Sequence, residues 1–157
     1  MRTGLALWQR SGAKTWVQAY NCLLAEQLLL AGHLTEADKT LQQALQEGKL
    51  IGEHWWESRA YQLRARIQVE NGDLPTAYQL LGEGRQIALS QGAKSRELGI
   101  VKDLADLLVR QGKQKEASEI LQPVCSWFSN VSDDPQVVAA RKLLSNIDQS
   151  FSNEIPE

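Results

Sequence analysis

Cysteine, histidine and net charge are all scarce in this chain, and each scarcity excludes something. There are two cysteines, Cys22 and Cys125, with no CxxC spacing. Small secreted domains lean on dense disulfides, so two isolated thiols point instead to reduced, buried side chains. The two histidines, His33 and His54, stand far apart, and neither belongs to an HExxH or similar ligand spacing. Seventeen basic residues against nineteen acidic ones leave a net charge of −2. A nucleic-acid binder ordinarily carries a basic excess or stripe, and neither is present.

Long apolar runs are missing too. "LLLA" at 28–31 is among the longest, far short of the roughly 20 residues that span a bilayer. The N-terminus "MRTGLALWQRSG" has a short apolar run with no small-residue cleavage site after it. These features predict a cytoplasmic protein. No GxxxxGK[ST] phosphate loop, no GxGxxG and no paired metal-binding carboxylates occur. The expectation is no enzymatic activity, no cofactor and no metal. At 157 residues the chain has the length of one domain with a real core.

What the chain does have is a repeat. Gly12, Gly52 and Gly92 are spaced by forty, and so are Gly32, Gly72 and Gly112. Ala25, Ala65 and Ala105 keep the same period, as do Ala37, Ala77 and Ala117, and Leu41, Leu81 and Leu121. "SGAKTW" at 11–16 and "QGAKSR" at 91–96 nearly repeat as text. A fixed period of this size marks a stack of supersecondary units.

The segments between the glycines read as helices. Leu24, Leu28 and Ala31 lie on one face, and Leu104, Leu107, Leu108 and Gln111 nearly repeat it, at amphipathic-helix spacing. Gly32, Gly72 and Gly112 sit where a helix needs a left-handed C-terminal residue. Start signals follow: Thr35 as an N-cap with Asp38 three residues on, Asp73 before Pro75, and Asp134 before Pro135. Strand signals are absent. First helices are predicted over roughly 14–31, 54–71 and 94–111. Second helices are predicted over roughly 35–48, 74–90 and 114–128, with a partial helix over about 2–10. The expected organisation is one helical-repeat domain over 1–149, with a partial repeat 1–11, repeats 12–51, 52–91 and 92–131, a capping helix 135–149, and a disordered tail 150–157.

These columns resemble the tetratricopeptide (TPR) repeat. Leu24-Ala25, Gly32, Ala37 and Leu41 fill its large-small, turn, small and large positions, and Leu104-Ala105, Gly112, Ala117 and Leu121 fill them again. The middle repeat keeps Ala65, Gly72, Ala77 and Leu81 but has Arg64 at the large apolar position. The resemblance implies an all-α solenoid of helical hairpins, a right-handed superhelix with an unusually long repeat of about forty residues. A narrower likeness rests on "MRTGLALWQRSGAK", "GEHWWESRAYQLRA", "AKSRELGIVKDLADLLVRQGKQKEASEILQPVCSWF" and "DDPQVVAARKLL". These look like the C-terminal tail of large bacterial signalling proteins. Such proteins join an adenylate/guanylate cyclase or transcription-regulator domain to an ATPase and a long TPR-like region. Gly4 and Leu5 fall in the columns of Ala44 and Leu45, so the chain reads as beginning inside a second helix.

The TPR resemblance also implies which first-helix columns face the groove. They hold Ala19, Arg59 and Gly99; Cys22, Gln62 and Lys102; Glu26, Arg66 and Asp106; Leu30, Glu70 and Arg110. Arg59, Gln62 and Arg66, extended by Lys102 and Arg110, form a polar, basic stripe that could clamp carboxylates of a peptide. The partner-binding set is therefore Arg59, Gln62, Arg66, Glu70, Lys102, Asp106 and Arg110. Trp16 and Trp56 share a column and are expected to pack between repeats. Trp127 and Phe128 are expected under the last helix, and Trp55 has no place in the repeat. Trp8, on the broken first repeat, points to self-association through that first helix as a dimer or an end-to-end stack. The expected function is a protein-interaction or regulatory scaffold with a protein or peptide partner, without nucleic acid or membrane. The alternative is a small-molecule effector sensor, which would need an enclosed, aromatic-lined pocket.

Overall fold

The structure is a computed structural model that describes residues 16–131 and 133–153. Among these residues there are seven helices and no strand: α1 Val17–Leu30, α2 Leu34–Ile51, α3 Glu57–Glu70, α4 Leu74–Ser90, α5 Lys94–Arg110, α6 Gln114–Trp127 and α7 Pro135–Asn153. The expected helix over 2–10 lies outside them. The helix α7 runs to Asn153, past the expected end at 149, so the start of the expected tail is helical.

Each hairpin turn is made by a glycine. Gly32, Gly72 and Gly112 have φ of 78°, 80° and 75°, a region open to glycine because it has no Cβ. The hydrogen bonds are those of a Schellman motif. The N–H groups of Gly32 and His33 donate to Leu29 and Leu28 at 3.0 and 2.9 Å. Gly72 and Asp73 do the same to Val69 and Gln68, and Gly112 and Lys113 to Val109 and Leu108. Gly52 and Gly92, at φ 70° and 63°, end the second helices in the same conformation.

The next helix starts at once. Asp73 caps α4, its Oδ1 accepting from the Thr76 N–H at 3.1 Å. Asp134 caps α7, accepting from Gln136 and Val137. The expected cap at Thr35 does not form. His33 is the N-cap of α2, without a side-chain bond, and Thr35 already lies in the first turn. The Schellman turn closes so tightly that only one residue separates Gly32 from helix α2.

The chain divides into two compact units, Met1–Ile87 and Ala88–Glu157, with the division inside α4. In the first, Cys22, Ala25 and Leu28 of α1 meet Ala37 and Leu41 of α2 and Ala60, Leu63 and Ile67 of α3. Trp56, Leu24, Leu29, Leu34 and Leu45 pack on the outside of this cluster. In the second, Leu98, Val101, Ala105 and Leu108 of α5 meet Ala117, Leu121, Val124 and Cys125 of α6 and Val137, Ala140 and Ile147 of α7. The repeat columns are thus the core columns. Alanine stands where helices cross closely, and leucine fills the space between them. Each buried leucine adds about 1.5–3 kcal/mol.

A polar node joins three helices of the first unit. Gln18 is buried at 1% exposure. Its Oε1 accepts from the Trp56 N–H at 3.0 Å, at the start of α3. Glu53 Oε1 accepts from the Trp16 N–H at 3.1 Å. Asn21, also buried, donates to Glu47 of α2 at 3.4 Å. The bonds to the Trp56 and Trp16 N–H groups satisfy backbone donors that a helix start would otherwise leave unpaired. The middle repeat's Arg64 is accommodated by charge rather than by packing. Its Nε donates to Asp38 Oδ1 of α2 at 2.8 Å, where the other repeats use leucine.

Candidate interaction face

In the first unit the groove columns bring Glu26, Arg59 and Gln62 together on adjoining helices. Arg59 Nη1 donates to Gln62 Oε1 at 2.7 Å, and its Nη2 donates to Glu26 Oε1 at 2.5 Å. The guanidinium is held at two points, and the Arg59 side chain is 13% exposed. Gln62 itself is buried at 2%, so it orients Arg59 rather than presenting its own amide. Glu26 is 29% exposed and neutralises Arg59 within the protein. Ala19 and Cys22, in the same set of columns, are buried. Arg66 is half-buried, and Glu70 and Leu30 are exposed. The face is therefore of mixed charge: a fixed, paired arginine beside a second arginine and an exposed glutamate.

The second unit carries the rest. Lys102 Nζ donates to Asp106 at 2.6 Å, one helical turn on, and lies 3.9 Å from Asp103. Arg110 is exposed, and among the described residues it has no ion-pair partner. A carboxylate arriving at Arg59 or Lys102 must compete with an internal one. That competition weakens a simple ion pair and favours a ligand that also makes hydrogen bonds.

The aromatics fall differently from expectation. Trp56 is half-buried against the α1–α3 cluster. Trp16 is 59% exposed and takes φ 67°, so sharing a column with Trp56 does not bury it. Trp56 has α1 and α2 to pack against; among the described residues no helix precedes α1. Trp127 is 68% exposed and does not pack under α7. Lys94 Nζ of α5 stands over its ring, 5.2 Å from the centroid, a cation–π contact. Lys94 also donates to Glu97 at 2.7 Å, which is buried at 4%. Phe128 packs on the core in its place, and its carbonyl accepts from Arg141 Nη2 of α7 at 2.6 Å. Trp55 is 76% exposed.

Of the remaining reactive groups, His54 Nδ1 and Glu57 Oε2 are 3.2 Å apart at the surface. Neither cysteine is in a disulfide and both lie in the interior, and burial pushes the Cys125 thiol above its ordinary range, against the opposing pull of Arg141. Among the described residues no three His, Cys, Asp or Glu side chains gather as a metal site, and no helix is long and apolar enough to cross a membrane. An open depression on α7 is lined by Arg141, Leu144, Ser145, Asp148 and Gln149, with no aromatic wall.

Sequence reasoning found the columns but missed the pairings. Glu26 and Arg59 lie on successive first helices, two turns out of register, so their opposite charges were a readable signal once neighbouring first helices were set side by side. Nothing in the local sequence marks Gln18 as the cap of α3, because its partner lies thirty-eight residues away.

No family model matches the chain, and no curated protein does either. Among solved structures it is similar to the nearly identical TPR-like repeats assigned to a kinesin light chain of Podosopora anserina. A point variant of that protein aligns with a TM-score of 0.68 and the parent structure with 0.66. In each case identity is 20%, and the alignment covers 98% of this chain and 76% of the other. The chain therefore has the fold of the TPR-like repeat proteins, an all-α solenoid of helical hairpins.

Proposed function

We propose that this chain is a protein-interaction scaffold, a non-catalytic module of a bacterial signalling or transcription-regulatory system. A partner segment lies along the face of Arg59, Arg66 and Glu70, with Gln62 holding Arg59 in place from beneath, and within the second unit Lys102, Asp106 and Arg110 have the corresponding role. The observation that carries the reading is the fixing of Arg59 by Gln62 and Glu26. A guanidinium already held in place loses little freedom on binding, which is how a rigid scaffold gains affinity. The mixed charge selects a partner with both carboxylates and hydrogen-bond donors, and the near-neutral net charge of −2 disfavours a nucleic-acid backbone. The bacterial setting rests on the sequence likeness to cyclase- and ATPase-linked tails.

The test is fluorescence anisotropy with a labelled acidic peptide bearing a free C-terminal carboxylate. Arg66→Glu combined with Arg59→Gln should weaken capture at least about tenfold, the equivalent of one lost charge-assisted contact, while helicity by circular dichroism stays unchanged. Equal binding by the variant and the parent would overturn the assignment. For the setting, an ATPase or cyclase encoded upstream in the same transcription unit is the expected result.

A further inference from the structure

Three hairpin turns share one backbone, and one of them carries a reactive pair. The residues before Gly32, Gly72 and Gly112 are Ala31, Asn71 and Gln111. Their φ and ψ are −84° and 0°, −78° and −7°, and −90° and 3°. Alanine and glutamine hold this conformation as well as asparagine does, so the turn does not demand asparagine. The Asn71 side chain is exposed and makes no hydrogen bond among the described residues. Neither packing nor pairing protects its amide.

The residue that follows singles Asn71 out. An asparagine side chain sets its amide carbon where the next backbone nitrogen can close a five-membered ring on it. Alanine has no such carbon, and glutamine would need a larger ring. Gly72 puts no side chain in the way. Asn130 and Asn146 precede the β-branched Val131 and Ile147, which crowd the attack. Asn153 precedes Glu154, and Asn21 is buried inside α1.

We propose that Asn71 is a self-modification site, where the chain converts its own side-chain amide to a carboxylate through a cyclic imide with Gly72. The Gly72 nitrogen gives its proton to hydroxide and attacks the Asn71 side-chain carbonyl carbon. A C–N bond forms, and the amide nitrogen takes a proton from water and leaves as ammonia. Water then opens the imide at either carbonyl. One opening gives aspartate. The other gives isoaspartate, in which the main chain runs through the former side chain. Nothing is oxidised or reduced, and water is the only co-reactant.

The closed turn slows the first step. Ring closure lays the Asn71 Cβ and the Gly72 nitrogen on one side of the Cα–C bond. At ψ −7° that nitrogen instead eclipses the backbone nitrogen of Asn71. Its N–H also donates to the Val69 carbonyl at 3.1 Å, and the Asp73 N–H donates to Gln68 at 2.9 Å. Reaction therefore needs the turn to open, a local event at an exposed helix end. The product does not refit. Either form sets a carboxylate between Glu70 and Asp73, at the end of α3 where the helix dipole is already negative. Isoaspartate also adds a carbon to the main chain, so the two turn bonds lose their register. Loss of ammonia makes the change one-way.

Peptide mapping by mass spectrometry on the full chain in mildly alkaline buffer, folded and in urea, tests this. In urea, Asn71 should convert before any other asparagine, to a mixture of aspartate and isoaspartate. In the folded chain the same site should convert about tenfold more slowly, so about ten half-lives of the unfolded chain should leave clear product. Asn71→Gln should keep its helicity and stay unmodified at this position. Asn71→Asp carries the charge of the product and should melt about 2 °C below the parent at neutral pH. Aspartate without isoaspartate would mean direct hydrolysis and would overturn the imide. An unconverted folded chain, or a first conversion at Asn130 or Asn146, would overturn the site. Equal rates in the folded and unfolded chain would overturn the gate, and an Asn71→Asp chain that melts with the parent would overturn the effect on the turn.

Discussion

Gln18 and Gly48 share one space: a Cβ on Gly48 would stand 2.5 Å from Gln18 Nε2 and 2.6 Å from the Glu53 carbonyl oxygen. Gly48 is therefore glycine for its missing side chain, since it sits inside α2 rather than at a turn. The Gln18 amide fills the gap and its Oε1 holds the start of α3. Gly48→Ala should destabilise the fold by about 1–3 kcal/mol, the usual cost of overpacking, despite the gain in helix propensity. Forty residues on, the same columns hold Ser58 and Ala88, both fully buried. Adding Gln18→Ser to Gly48→Ala should recover part of the loss. Urea denaturation of the single and double variants measures it, and strict additivity would mean that the two side chains do not share the space.

The ion pair between Arg64 and Asp38 replaces an apolar contact of the repeat. Both side chains are 23% exposed, and Asp38 Oδ2 also accepts from Gln42 at 2.6 Å. Partial burial shields the pair from solvent without the full penalty of a buried charge. A double-mutant cycle with Arg64→Ala and Asp38→Ala should give a coupling of about 1 kcal/mol that shrinks in high salt. A coupling indistinguishable from zero would mean that α2 and α3 are held by their leucines alone.

The hairpins were legible because they are made of local signals at a fixed period. Each of Gly32, Gly72 and Gly112 is demanded by one backbone conformation, so the turns and the helices between them follow from the sequence. Asp73 and Asp134 were legible as caps for the same reason. Thr35 misled because two rules compete there: the Schellman turn ends at His33, which starts α2 two residues earlier than a threonine cap would need. Trp16 misled because a repeat column records what a position packs against, and Trp16 has no preceding hairpin among the described residues. The internal partners of Arg59 and Trp127 depend on how neighbouring helices are set in register, which no window of one helix contains.

Acid should release the cap of α4. Hydrogen bonds from Thr76, first its side chain and then its backbone N–H, hold the Asp73 carboxyl below its ordinary value. A carboxylate with a lowered folded pKa contributes stability that is fully present above the unfolded value, near pH 4. That contribution is lost as pH falls through the lower, folded value. Asp73→Ala should therefore unfold more readily than the parent chain at pH 7, and the difference should close as pH is taken below 4. Thermal melts at a series of pH values read it directly. A gap that persists unchanged at low pH would place the role of Asp73 elsewhere than in its charge.

Two adjacent tryptophans should separate packing from surface. Trp56 rests on the α1–α3 cluster, and its backbone carbonyl faces the Cys22 thiol at 3.9 Å. Trp55 is 76% exposed and occupies the column of Ser95 in the third repeat. Trp55→Ser should change stability by no more than about 0.5 kcal/mol, as surface substitutions do. Trp56→Ala should cost about 2 kcal/mol, less than a fully buried ring would lose because part of Trp56 stays exposed. In acrylamide quenching, Trp55→Ser should remove a strongly quenched component of the fluorescence and Trp56→Ala a protected one. If the two variants melt together, the repeat's aromatic column contributes nothing to stacking, and the cluster of Leu63, Ile67 and Leu28 holds α3 by itself.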